Sequence, residues 1–140
     1  MDVNNVFLVE DDEFFADTFS KRLKSMGDFR VHVYESSEQA LGHVSNIKPE
    51  IIFLDHILGG VNGVDALPIF KSRLPNSEVC IVSNQRDVEV LASALSEGAS
   101  NYFMKDALLM QNTKQFIETV RNKKSGFKGF WQGFLREYST

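Results

Sequence analysis

A chain of 140 residues, 43% hydrophobic and with twelve Phe, is long enough for one domain with a real core and short for two. Charged residues at 24% and a net charge of −4 exclude a disordered chain and argue against nucleic acid as a direct partner. The charge is uneven: from Arg121 onward the chain carries +4, which leaves −8 on residues 1–120. An acidic body with a basic end suggests that the two serve different purposes. Cys80 is the only cysteine, which excludes an internal disulfide and a cysteine metal cluster; within Val79-Cys80-Ile81-Val82 it reads as a small core residue. No apolar run reaches the length of a membrane-spanning helix and the opening Met1-Asp2 is no leader, so the cytoplasm is the expected location.

Short apolar runs alternate with amphipathic stretches. The first strand, Val6-Phe7-Leu8-Val9, ends in the acidic cluster Glu10-Asp11-Asp12. Phe15, Phe19, Leu23 and Met26 recur at helical spacing, predicting a helix over 14–26 that Gly27 ends. Val31 to Tyr34 alternates as a second strand, and Ser36 and Ser37 cap a helix through about Val44. The third run, Ile51-Ile52-Phe53-Leu54, delivers Asp55 at its end. Gly59, Gly60 and Gly63 predict a flexible turn before a helix carrying Leu67, Ile69 and Phe70, with Pro68 early in it, where a missing amide proton costs least. Val79 to Val82 is a fourth strand ending on Ser83, followed by a helix over 88–95 that stops near Gly98. Tyr102-Phe103-Met104 is a fifth strand ending on Lys105, and the last helix runs from about Leu108 to Val120.

Five β-α units in strict alternation imply a parallel sheet covered on both faces, an α/β doubly wound flavodoxin-like fold with strand order 2-1-3-4-5. Ligands of such sheets bind beyond the carboxyl ends of the strands. There the sequence delivers Glu10, Asp11, Asp55, Ser83 and Lys105. Crowded carboxylates repel unless a hard cation neutralises them, and Mg²⁺ prefers oxygen ligands. The set suits phosphoryl transfer, with Asp55 as nucleophile, Lys105 neutralising the transferred group and Ser83 donating a hydrogen bond to it.

With these residues in place the sequence resembles the receiver (CheY-like) domain of two-component response regulators, over about Asn5 to Lys124. The intervals of 44, 28 and 22 residues separating Asp11, Asp55, Ser83 and Lys105 are similar to that family's. The resemblance implies Mg²⁺ at Glu10, Asp11, Asp55 and the Ile57 backbone carbonyl, and Asp55 as phosphoacceptor. It implies Ser83 as switch hydroxyl, Lys105 as the phosphoryl-neutralising lysine and Tyr102 as switch aromatic. It further implies a sensor histidine kinase or histidine phosphotransfer protein as phosphodonor, an unnamed downstream protein, and a switching fourth helix–fifth strand–fifth helix surface without turnover of an external substrate. A Mg²⁺-dependent phosphatase on the same fold is one alternative, disfavoured by the lack of a second catalytic acid; a phosphorylation-independent binding module is the other, favoured by two departures. Asp106 stands where the family has proline, leaving the Lys105–Asp106 bond trans or strained, and Asn84 replaces a small residue after Ser83. Gln85 and Ile57 occupy positions where the family tunes the lifetime of the phosphorylated state. His32, His43 and His56 lack metal-ligand spacing.

Domain organisation is read as a receiver over 1–124 and an aromatic, basic C-terminal segment over 125–140. On a helix Phe127, Phe130, Trp131, Phe134 and Tyr138 share one face, although Gly126, Gly129 and Gly133 weaken an isolated helix by about 1 kcal/mol each. That face needs cover, from its own domain, a partner or a second copy rather than from lipid. A homodimer through this segment or through the fourth helix–fifth strand–fifth helix face is left open.

Overall fold

The computed structural model describes residues 3–122. Five strands alternate with five helices: β1 (Asn5–Val9), α1 (Glu13–Lys24), β2 (Arg30–Tyr34), α2 (Ser37–Leu41), β3 (Ile51–Asp55), α3 (Gly63–Arg73), β4 (Glu78–Ser83), α4 (Val88–Ser96), β5 (Asn101–Met104) and α5 (Leu109–Asn122). The strands form one parallel sheet in the order β2-β1-β3-β4-β5, the predicted topology.

The apolar runs are continuous because the central strands are covered on both faces. Val6 and Leu8 of β1 point to one core, with Phe19 and Leu23 of α1 and Phe116, Ile117 and Val120 of α5. Phe7 and Val9 point to the other, with Ala40 of α2, Leu67 and Phe70 of α3, and Leu91 of α4. Phenylalanines bind the first core together: Phe53 lies 5.5 Å from Phe19 and 6.1 Å from Phe103, which meets Phe116 at 5.7 Å. Each such ring, fully buried, contributes about 2–3 kcal/mol. β2 lies at the sheet edge, and Val33 is exposed there.

Local chemistry sets the boundaries. Asp12 caps α1, Ser36 caps α2 and Asp87 caps α4, each accepting a first-turn backbone N–H. Gly98, at φ 98°, ends the α4 turn in the left-handed region as predicted. Three details depart from the sequence reading. The second helix stops at Leu41, short of Val44. The first ends at Lys24, before Gly27, whose role lies elsewhere: a Cβ there would sit 1.5 Å from the Arg121 guanidinium. Pro68 lies inside α3 rather than at its start, because the helix begins at Gly63, so one rung of the ladder is missing. No cis peptide occurs among the described residues, so the Lys105–Asp106 bond is trans. The aromatic segment 125–140 lies outside the described residues.

Candidate functional site

The register of the sheet assembles the site. Asp55 pairs with Val82, so Ser83 lies one step beyond the last residue of β3. Ser83 pairs with Met104, and its carbonyl accepts from the Lys105 N–H at 2.8 Å. β1 adjoins β3 and delivers Glu10 beside them. The carboxylates of Glu10, Asp11 and Asp55 converge, their oxygens within 4.8 Å of one another. Glu10 and Asp55 are buried and Asp11 is exposed.

Lys105 reaches into this cluster. Its ammonium lies 2.6 Å from Glu10 Oε1 and 3.3 Å from Asp55 Oδ1. One cation among three carboxylates leaves negative charge uncompensated. Burial first, and then the neighbouring Glu10 charge, push the Asp55 carboxyl up to about 7 against the opposing pull of Lys105. Glu10 Oε2 accepts from the Asp12 N–H at 3.1 Å, and Asp11 Oδ2 from the Gly59 N–H at 3.1 Å. Asp11 is thereby tied to the β3–α3 loop, while Glu10 is held within its own turn. An all-oxygen donor set with excess negative charge fits a small hard cation such as Mg²⁺. No other acidic or histidine cluster of that kind occurs among the described residues.

The remaining sequence-predicted residues line one side. Ser83 is buried, and its Oγ accepts from the Gln85 N–H at 3.0 Å. Tyr102 is buried against the second core, and its hydroxyl donates to the Gln85 carbonyl at 3.0 Å. Burial raises the Tyr102 hydroxyl, with the Ser83 hydroxyl pulling the other way. The backbone of Gln85 therefore joins Ser83 to Tyr102, a link the sequence reading did not anticipate. Ile57 lies two residues past Asp55 with an exposed side chain, and Asn84 is exposed.

Sequence reasoning missed two further contacts. Gly63 is more than a flexible turn residue: a Cβ there would lie 2.2 Å from the Asp55 carbonyl oxygen, and its N–H donates to the His56 carbonyl. Phe15, predicted only as a core residue, lays its ring 4.2 Å from the Lys105 ammonium. The histidines are dispersed as expected. His32 Nε2 faces Asn5 Oδ1 at 3.0 Å, and His43 stacks on Tyr34. His56 is half-buried, with its Nδ1 unpartnered and its basicity lowered by burial. Cys80 is fully buried, which pushes its thiol well up and keeps it inert. No helix among the described residues is long and apolar enough to cross a membrane.

Comparison with known proteins agrees with this geometry. The chain is similar to the transcriptional regulatory protein DegU of Brevibacillus brevis, 28% identical over 83% of this chain and 48% of DegU. It is also similar to the transcriptional regulatory protein LnrK of Bacillus subtilis (strain 168), 31% identical over 51% of this chain and 32% of LnrK. The chain thus spans at most about half the length of these relatives. Its fold matches the CheY-like response regulator receiver domain protein of Methanospirillum hungatei JF-1, with a TM-score of 0.78 and 19% identity, covering 87% of this chain and 97% of the other. The profile of the response regulator receiver domain matches residues 6–123, and the chain belongs to that family of two-component signalling domains.

Proposed function

We propose that this domain is a phosphorylation switch whose acceptor is Asp55. The observation that carries this reading is the position of Asp55 at the end of the central strand, buried, 3.3 Å from one ammonium and crowded by two further carboxylates. Glu10, Asp11, Asp55 and the Ile57 carbonyl would hold Mg²⁺, which when bound supplies positive charge against both the carboxylates and an incoming phosphoryl group. The donor is a phosphohistidine of a sensor kinase or phosphotransfer protein. An Asp55 oxygen attacks phosphorus, the P–O bond forms as the P–N bond breaks, and the imidazole leaves with the electron pair and takes up a proton.

The protein's own groups do the rest. Lys105 turns from Glu10 toward the new dianion, and Ser83 donates its hydroxyl to a phosphoryl oxygen, turning away from its bond with Gln85. Because Gln85 also accepts from Tyr102, the shift at Ser83 alters the footing of the aromatic. The α4–β5–α5 surface then moves between two populations and is read by a downstream protein. The switching unit is residues 1–124, and no external substrate is turned over.

Intact-protein mass after incubation with a small-molecule phosphodonor, with and without Mg²⁺, tests the reading. A single Mg²⁺-dependent adduct on wild type, absent from Asp55→Asn, is expected. Mg²⁺ binding without any adduct would overturn it in favour of a phosphorylation-independent binding module.

A further inference from the structure

Lys105 carries its charge on a flexible four-carbon stem, so its usefulness depends on what confines the ammonium. Two walls are carboxylates, Glu10 at 2.6 Å and Asp55 at 3.3 Å. The third is the face of Phe15, whose ring centroid lies 4.2 Å from Nζ, well within the range of a cation–π contact. The lysine side chain is only 10% exposed, so little water competes with the ring.

The ring is itself held. The Phe15 N–H donates to the cap residue Asp12 at 3.1 Å, which fixes its backbone at the first turn of α1. Phe19, one turn on and part of the first core, braces it at 5.4 Å between centroids, and Phe15 packs half-buried against that core. The acidic cap that follows the Glu10-Asp11 pair therefore also fixes the residue covering the lysine.

We propose that Phe15 is a positioning residue for phosphoryl transfer: its π face holds the Lys105 ammonium over the acceptor oxygen of Asp55. The proposal rests on the reading of Asp55 as phosphoacceptor. An aliphatic side chain of similar bulk would fill the space without attracting the cation, whereas tryptophan would do both.

The test uses the full chain with acetyl phosphate and saturating Mg²⁺, comparing wild type, Phe15→Leu, Phe15→Trp, Lys105→Met and the Phe15→Leu/Lys105→Met pair. Phe15→Leu is expected to slow labelling about five-fold, the size of a partly desolvated cation–π contact, with Mg²⁺ affinity within about two-fold of wild type. Phe15→Trp should stay near the wild-type rate, and Phe15→Leu should add nothing once Lys105 is gone. The Lys105 ε-methylene protons should be shifted upfield by the ring, and lose that shift in Phe15→Leu. A wild-type rate in Phe15→Leu, equal slowing in Phe15→Leu and Phe15→Trp, or the same slowing in the Lys105→Met background would each overturn the proposal. Should wild type take no adduct, the acceptor reading fails by itself, and the proton shift still decides whether the ring holds the ammonium.

Discussion

The two ends of the sheet treat polar groups differently. At the amino ends of the strands, several polar groups are tied off in pairs, the buried Asn101 Nδ2 of β5 being an exception. Ser77 Oγ donates to the Pro49 carbonyl at 2.6 Å, Glu50 accepts from the Asn5 N–H at 2.8 Å, and Ser100 donates to Glu78. Lys71 donates to the carbonyls of Pro75 and Ser77. At the carboxyl ends, three carboxylates converge, one ammonium pairs with only Glu10 and Asp55, and the Asp55 carboxyl is pushed up to about 7. The amino end spends its polar groups on stability; the carboxyl end keeps an excess of negative charge that a cation can neutralise.

Variants at the two ends should separate these roles. The largest effect belongs to Asp55→Asn, for which mass spectrometry should find no phosphoryl adduct. The same variant should be more stable than wild type at pH 8 in the absence of divalent cations. The folded-state value of Asp55 lies above the usual carboxylate value of about 4, so the folded protein holds a proton that the unfolded chain releases between about pH 4 and 7. Ionising Asp55 therefore costs stability as pH rises through that window. Chemical denaturation should show the advantage of Asn at pH 8 and its loss near pH 4. Mg²⁺ must displace that proton, so its affinity, followed by titration calorimetry, should rise with pH up to about 7 and level off above.

Lys105→Met comes next. It leaves Glu10 and Asp55 buried without a counter-ion, which should cost about 3 kcal/mol in denaturant melts and slow labelling at least ten-fold. Gly63→Ala should follow at about 2–3 kcal/mol, since its Cβ meets the Asp55 carbonyl at 2.2 Å, and it should also slow labelling. Gly59→Ala, with its nearest contact 3.8 Å away, is the control expected to change little. The smallest effect is predicted at the other end: Ser77→Ala should lose about 1 kcal/mol, the worth of one buried hydrogen bond, with labelling unchanged. A slowed reaction in Ser77→Ala would erase the distinction between the two ends.

The fold and the reacting groups were legible because every strand except the alternating β2 is built on an apolar run that stops abruptly on a polar residue. Asp55, Ser83 and Lys105 are the residues on which β3, β4 and β5 give way to loops. The contacts that tune them were not legible, since they join positions far apart in sequence. Nothing local to Gly63 announces the Asp55 carbonyl against its Cα, and Phe15 has the spacing of any core residue. Pro68 misled for a related reason: where α3 begins is decided by the close approach of Gly63 to β3, a tertiary fact. Gln85 acts through its backbone, which its side-chain identity does not disclose.

Arg121 gives the last turn of α5 a mechanical meaning. Its guanidinium donates to the Met26 carbonyl at 3.2 Å, lies 5.6 Å from the Phe29 ring, and fills the space that Gly27 leaves open. The helix it terminates has 14 residues, about 21 Å of rod at 1.5 Å per residue. The rod starts beside the Lys105 loop and is riveted at its far end to the turn after α1. On the proposed switch reading, a displacement at the loop would be delivered as a tilt about that rivet, the action of a lever rather than of a spring.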